Sequence, residues 1–306
     1  MNHMVEQYTP LVSIVIPVYN GGNFLKQAID SALTQTYENI EIVVVNDGST
    51  DNGATERIAL SYGDKVRYFH KENGGCASAL NYGIDQMRGE WFSWLSHDDL
   101  YMPDKVQCEI DIVRRCGYEH KDVIIVCGGS VIDEHNLPLP KGPNIPAQYL
   151  SSADAFEKLL LQWALNGCAL LIPRSAFERL GGFSTRYVYI LDWIYWLELA
   201  ITGYDFHFCS DVLVKNRKHD GQVSVKKRAL FKTELETYAQ ELAERFRDDG
   251  QKSLIIWAFA YKIGAAATCK DIEKLYPIPL KIHCRGIGLR TKNRLKSMIK
   301  KILHMR

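Results

Sequence analysis

Three polar positions stand directly after apolar, β-branched runs in the first hundred residues. Tyr19-Asn20 follow Leu11–Val18, Asp47 follows Ile40–Val45, and Asp98-Asp99 follow Trp91–Ser96. Adjacent carboxylates at the mouth of a buried strand repel one another unless something positive binds there. Oxygen ligands suit Mg2+ or Mn2+, and these ions keep phosphate oxygens as co-ligands. A nucleotide diphosphate is therefore a natural partner for Asp98-Asp99. The same pair could instead cap the helix expected near Pro103. Asp47, in NDGSTD, could equally close an Asx-turn.

The elements that must position these residues alternate between strand and helix periodicity, which predicts a parallel α/β sheet. Leu11–Val18, Ile40–Val45, Val66–His70 and Trp91–Ser96 read as strands. Between them lie a helix with Leu25, Ala28, Ile29, Ala32 and Leu33 on one face, capped by Asn23, and helices near 53–62 and 77–87. Open sheets of this kind bind ligands outside the carboxyl ends of their strands, so the three polar positions can share one crevice. The second half reads as strands at Val123–Cys127, Cys168–Ile172 and Val212–Asn216, with helices over 153–161 and 192–201. From about Val225 the pattern is helical. Its apolar stretch, LIIWAFAY with IGAAA beyond Lys262, is interrupted and reads as a buried helix rather than a membrane span.

The run VSIVIPVYNGGNFLKQAIDSALTQTYENIEIVVVNDGSTD, then NGGCASALNYGI, then GEWFSWLSHDDLYMPDK resembles the inverting family 2 glycosyltransferases of the GT-A fold. The likeness covers about Val12–Ser224. It implies a metal-dependent transfer of a sugar from a nucleotide-diphosphate donor, most often a UDP-sugar, to a hydroxyl acceptor. A catalytically silent nucleotide-sugar-binding module of the same fold is the alternative.

The resemblance also implies roles for single residues. Pro17 and Tyr19 would contact the base, Asp47 would accept its ring N–H, and Asn81 would line the donor pocket. Asp98 would lie near ribose and metal, and Asp99 would be the principal metal ligand. Leu80 and Ser96 stand where many members have Arg and Asp. His219, in a late R-x-H-x-x-x-x-S segment, is a candidate to supply a metal or diphosphate contact, and Arg217 could support phosphate. Asp192, in VYILDWIYWLELA, matches the catalytic base, a role that capping a helix would not exclude. Gly181-Gly182-Phe183 match an acceptor-side turn, and Asn166 and Trp193 are plausible acceptor contacts.

Charge is unevenly spread. Ten of the 37 basic residues and none of the 36 acidic ones fall in 274–306, which leaves the body acidic. Such a body argues against nucleic-acid binding. In the tail, Leu295, Met298, Ile299, Ile302 and Leu303 share one helical face opposite lysines and arginines. A helix of this kind can lie on an anionic membrane surface or pack on the body. The eight cysteines show no C-x-x-C pair, so neither zinc nor redox chemistry is indicated. With no N-terminal signal pattern, the expected place is the cytoplasm, peripheral on the inner membrane face if the tail binds there. The expected organisation is a GT-A domain over 1–224, with a donor half at 10–105 and an acceptor half at 106–224, then a helical region over 225–306. A glycan or lipid-linked acceptor, in cell-envelope or extracellular polysaccharide synthesis, would suit that setting.

Overall fold

The computed structural model describes residues 8–141, 144–162, 164–222 and 228–275. Its backbone contacts separate two units: residues 1–156 with 164–226, and residues 157–163 with 227–306. Residues 157–163 group with the C-terminal helices.

The first unit is built on one ten-stranded sheet. β1 (Val12–Val18), β2 (Ile40–Asp47), β3 (Arg67–Lys71) and β4 (Trp91–Trp94) form its parallel part, in the order β3-β2-β1-β4. Every residue of β1 is buried, as a central strand covered on both faces requires. The β1–β4 ladder ends at Val15–Trp94, two residues before Pro17, so on that side no bond is asked of the missing N–H. The first two crossovers are α1 (Leu25–Leu33) and α2 (Ala54–Leu60), and α3 (Cys76–Gln86) leads into β4. α1 buries Leu25, Ala28, Ile29 and Ala32, the expected face. The Asn23 cap is not made: α1 starts from Phe24 with no side-chain cap, and the Leu25 N–H bonds the Gly21 carbonyl.

Beyond β4 the sheet turns mixed. β6 (Val123–Ile132) runs parallel to β10 (Asp205–Arg217), while β9 (Leu170–Pro173) lies antiparallel between β4 and β6. Short strands β5 (Leu100–Tyr101) and β8 (Gln148–Leu150) pair antiparallel with β10, and β7 (Pro138–Leu139) pairs with β6. α4 (Lys105–Cys116), α5 (Ser152–Leu161), α6 (Arg174–Leu180) and α7 (Leu191–Ile201) complete the order. The open α/β class is as expected, with its parallel character concentrated in the N-terminal strands. Both β6 and β10 are about twice their expected length, because each extends past its apolar run into residues that pair as ladder partners.

In the second unit, α8 (Arg228–Arg245), α9 (Gly250–Ile263) and α10 (Ala266–Leu275) follow one another. Asp249 caps α9 by accepting the Lys252 N–H at 3.0 Å. The apolar stretch read as a buried helix is α9, with Ile255, Ile256, Trp257 and Phe259 in the core. Among the described residues no helix is long and apolar enough to cross a membrane. The amphipathic tail expected over 292–306, like Ser224 of the late motif, lies outside the described residues.

Candidate active site

Asp47, Asp98 and Asp192 all act electrostatically on the buried Cys76 thiol. Burial, then the charges of Asp192, Asp47 and Asp98, push that thiol up to about 12. Three carboxylates far apart in sequence thus act on one thiol at the start of α3, from the ends of β2 and β4 and the first turn of α7, and the space around it is the candidate site. Tyr19 leaves the end of β1 with its ring 46% exposed.

Asp47 is buried, and its side chain organises the wall of that space. Its Oδ1 takes the Lys71 ammonium at 2.7 Å and the Gly74 N–H at 3.0 Å, and its Oδ2 takes the Gly75 N–H at 2.7 Å. The Asx-turn role belongs instead to Asn46, whose Oδ1 accepts the Ser49 N–H at 3.0 Å. Lys71, the last residue of β3, was not singled out from sequence. Its place at a strand end was the signal that could have found it.

The two adjacent aspartates have different surroundings. Neither caps a helix, since α4 starts from Asp104. Asp99 is 4% exposed and enclosed by donors. The Arg217 main-chain N–H reaches Oδ1 at 2.8 Å, while Asn216 Nδ2 at 3.1 Å and the Cys168 thiol at 3.2 Å reach Oδ2. Burial and the neighbouring Asp98 charge push Asp99 up to about 7. His219, expected beside Asp99 as a metal ligand, meets Asp98: Nε2 lies 2.9 Å from Oδ2, with the two side chains 14% and 13% exposed. Burial opposes ionisation of Asp98, yet the His219 hydrogen bond and the nearby imidazoles of His97 and His219 hold it below the usual carboxylate range.

The His219 ring is fixed from both sides. Nδ1 accepts the Gly221 N–H at 3.2 Å, so Nε2 carries the proton donated to Asp98, and the ring lies 5.0 Å from Phe24. Asp98 Oδ2 and His219 Nε2 are an oxygen and a nitrogen donor that a divalent cation could take in place of the hydrogen bond between them. Binding would displace the Nε2 proton to Nδ1 and release the Gly221 bond. Among the described residues no group of three or more His, Cys, Asp or Glu side chains that could hold a metal ion is present.

Arg217, expected from sequence to be able to support phosphate, has its side chain committed within the protein. It is 1% exposed and acts as a structural hub. Nε donates to the Asp98 carbonyl at 2.7 Å, Nη1 to Asn136 Oδ1 at 2.8 Å and the Asp133 carbonyl at 3.2 Å, and Nη2 to Gln27 Oε1 at 3.0 Å. The guanidinium also lies 4.5 Å from the Phe24 ring centre. These partners come from three separate stretches of chain, so no sequence spacing could reveal them.

Asp192 sits in the first turn of α7 rather than at its cap, which is Ile190. Its Oδ1 accepts the Trp193 N–H at 2.7 Å. Burial pushes the carboxyl up to about 6, with that N–H drawing it partly back. Such a group is ionised near neutrality yet basic enough to take a proton. Gly181 has φ 80°, open to glycine alone at its ψ, as the expected acceptor-side turn needs. Asn166 caps a short turn by accepting the Cys168 N–H at 2.8 Å. Asn81 is turned to the Gly181–Phe183 turn: Nδ2 donates to the Phe183 carbonyl at 2.9 Å and Oδ1 accepts the Phe183 N–H at 2.7 Å.

Residues 13–181 match the model of glycosyl transferase family 2. An uncharacterized glycosyltransferase of Rickettsia typhi is 51% identical over 221 residues, which cover 71% of this chain and 67% of that protein. Across five Rickettsia glycosyltransferases the matched stretch spans 32–67% of their own length. Among solved structures, Staphylococcus aureus TarS residues 1–349 with UDP-GlcNAc superposes with a TM-score of 0.66 at 17% identity, covering 82% of this chain and 71% of that one. The Pyrobaculum calidifontis mannosyltransferase with GDP-Man and Mn2+ gives 0.58 at 20% identity, covering 96% and 84%. Both share the open, helix-flanked sheet described above, and the chain belongs to glycosyl transferase family 2.

Proposed function

We propose that this protein transfers a sugar from a nucleotide-diphosphate donor to a hydroxyl acceptor with inversion at the anomeric carbon. The observation that carries the reading is Asp192, raised to about 6 in the first turn of α7, with Asp47 and Asp98 near enough to act on the same Cys76 thiol. Tyr19, exposed at the end of β1, offers a ring face on which the base stacks, beside Pro17. Asp47 and Lys71 shape the base-binding wall through the Gly74–Gly75 turn. Asp98 and His219 would hold Mn2+ or Mg2+, whose charge would offset that developing on the leaving diphosphate. Asp99 aligns this pair by tying the end of β4 to Asn216 and Arg217. Asp192 takes the proton of the acceptor hydroxyl as that oxygen attacks the anomeric carbon and the bond to the diphosphate breaks. The Trp193 N–H keeps the carboxylate in place.

TarS bound to UDP-GlcNAc supports a uridine nucleotide, and the GDP-Man and Mn2+ complex of the Pyrobaculum enzyme supports metal use. The acceptor we favour is a glycan or lipid-linked glycan of polysaccharide synthesis; a Pasteurella multocida relative, 31% identical over 226 residues, is a hyaluronan synthase. Cytoplasmic placement, with the basic tail on an anionic inner membrane face, belongs to the same proposal. The test is nucleotide release from UDP-, GDP- and dTDP-sugars with and without Mn2+. Release with one donor class, lost in Asp98→Ala and Asp192→Asn, is expected. Full turnover in Asp192→Asn would remove the base, and turnover unaffected by chelation would remove the metal.

A further inference from the structure

Asn81 stands between the donor-binding strand ends and the candidate base without belonging to either. It lies on α3, one and a half turns after the Gly74–Gly75 N–H groups that hold Asp47. Both faces of its amide are committed to the backbone of Phe183, 102 residues away. The fit leaves no room: a Cβ on Gly182 would lie 2.3 Å from Asn81 Oδ1.

The far side of the same turn is held by α7. The Tyr195 hydroxyl donates to the Gly181 carbonyl at 3.0 Å, and the Tyr195 ring centre lies 4.4 Å from that of Phe183. Asp192 and Tyr195 are three residues apart on one helix, so they share a face. The turn is therefore clamped between α3 and the very face of α7 that carries Asp192. A helix-surface asparagine would be solvated; this one has its donor and its acceptor spent on a single residue's N–H and C=O.

We propose that Asn81 is a positioning residue for Asp192: by clamping the Gly181–Phe183 turn to α3, it sets where α7 presents its carboxylate relative to the donor. This rests on the transferase reading above. It differs from a donor-pocket role because both ends of the amide are bonded to Phe183, which orients the side chain toward the turn.

The test compares wild type with Asn81→Ser, which removes both bonds. Two readouts are UDP release from UDP-GlcNAc with Mn2+ and water as acceptor, and UDP affinity by calorimetry. A misplacement on the order of 1 Å lowers rate by up to about 100-fold, so kcat should fall roughly 10- to 100-fold. UDP affinity should stay within about twofold, and the acid limb of the rate profile should move as the enclosure of Asp192 changes. Tyr195→Phe, which loses only the bond to Gly181, should lower kcat in the same sense with UDP affinity unchanged. A parallel loss of UDP affinity in Asn81→Ser would overturn the proposal by making Asn81 a donor ligand. An unchanged kcat in both variants would overturn it too. Where Asn81→Ser does not fold, Tyr195→Phe decides on the same criteria. Absence of UDP release by the wild type would count against the transferase reading with that donor, while UDP affinity would still rule on Asn81.

Discussion

Replacing Arg217 by Met should unfold the first unit at a much lower temperature. The guanidinium donates four hydrogen bonds in a site with 1% exposure, to Asp98, Asn136, Asp133 and Gln27. With a net worth of about 1 kcal/mol each after the cost of desolvating the charge, four bonds amount to ~4 kcal/mol. For a unit of this size, that corresponds to a fall in Tm of roughly 8–16 °C. Met fills much of the stem volume, so the loss measures hydrogen bonding rather than a cavity. Arg217→Lys keeps the charge, but one ammonium cannot span Asp98, Asn136 and Gln27 together, so about half the effect is expected. The assay is thermal unfolding followed by near-UV circular dichroism, with urea unfolding as a second measure. A Met variant melting within about 2 °C of the parent would refute the hub, because that shift is worth less than a single buried hydrogen bond.

Donor hydrolysis should fall about tenfold per pH unit below the Asp192 value near 6, because the base acts only when ionised; Asp192→Asn should give a low, flat profile over the same range. Asp98→Asn should raise the Mn2+ concentration for half-maximal rate roughly tenfold or more, whereas Asp99→Asn should lower Tm with a smaller effect on the metal titration; the reverse order would return the metal to Asp99. Lys105 and Glu109 form an ion pair at 2.8 Å with both side chains fully buried, and Lys105 also bonds Ser93 at 3.0 Å. Lys105→Met should therefore destabilise by about 3–5 kcal/mol, and the Lys105→Met/Glu109→Leu double variant should recover most of it in urea unfolding; equal stability of single and double variants would contradict the pairing.

The sequence by itself determined the strand ends. Apolar runs too short for helices, broken by Gly-rich turns, fix where β1, β2 and β4 stop, so Tyr19, Asp47 and Asp98-Asp99 could be placed at one edge by local pattern. Asp192 and the Gly181 turn were legible only through the resemblance to family 2 motifs, with the positive φ of Gly181 the one local trait the structure adds. What only the tertiary structure decided was which groups face which. His219 meets Asp98 rather than Asp99 because β10 runs beside β6 and returns the chain to the end of β4, a register no spacing encodes. Arg217 became a buried hub, Lys71 joined Asp47, and Asn81 turned from the donor to Phe183 for the same reason. Each partner comes from a distant stretch, and hydrogen-bond geometry across such separations is set by packing alone. Chain periodicity reports which face of an element is buried; it carries no information on what the other element presents to that face.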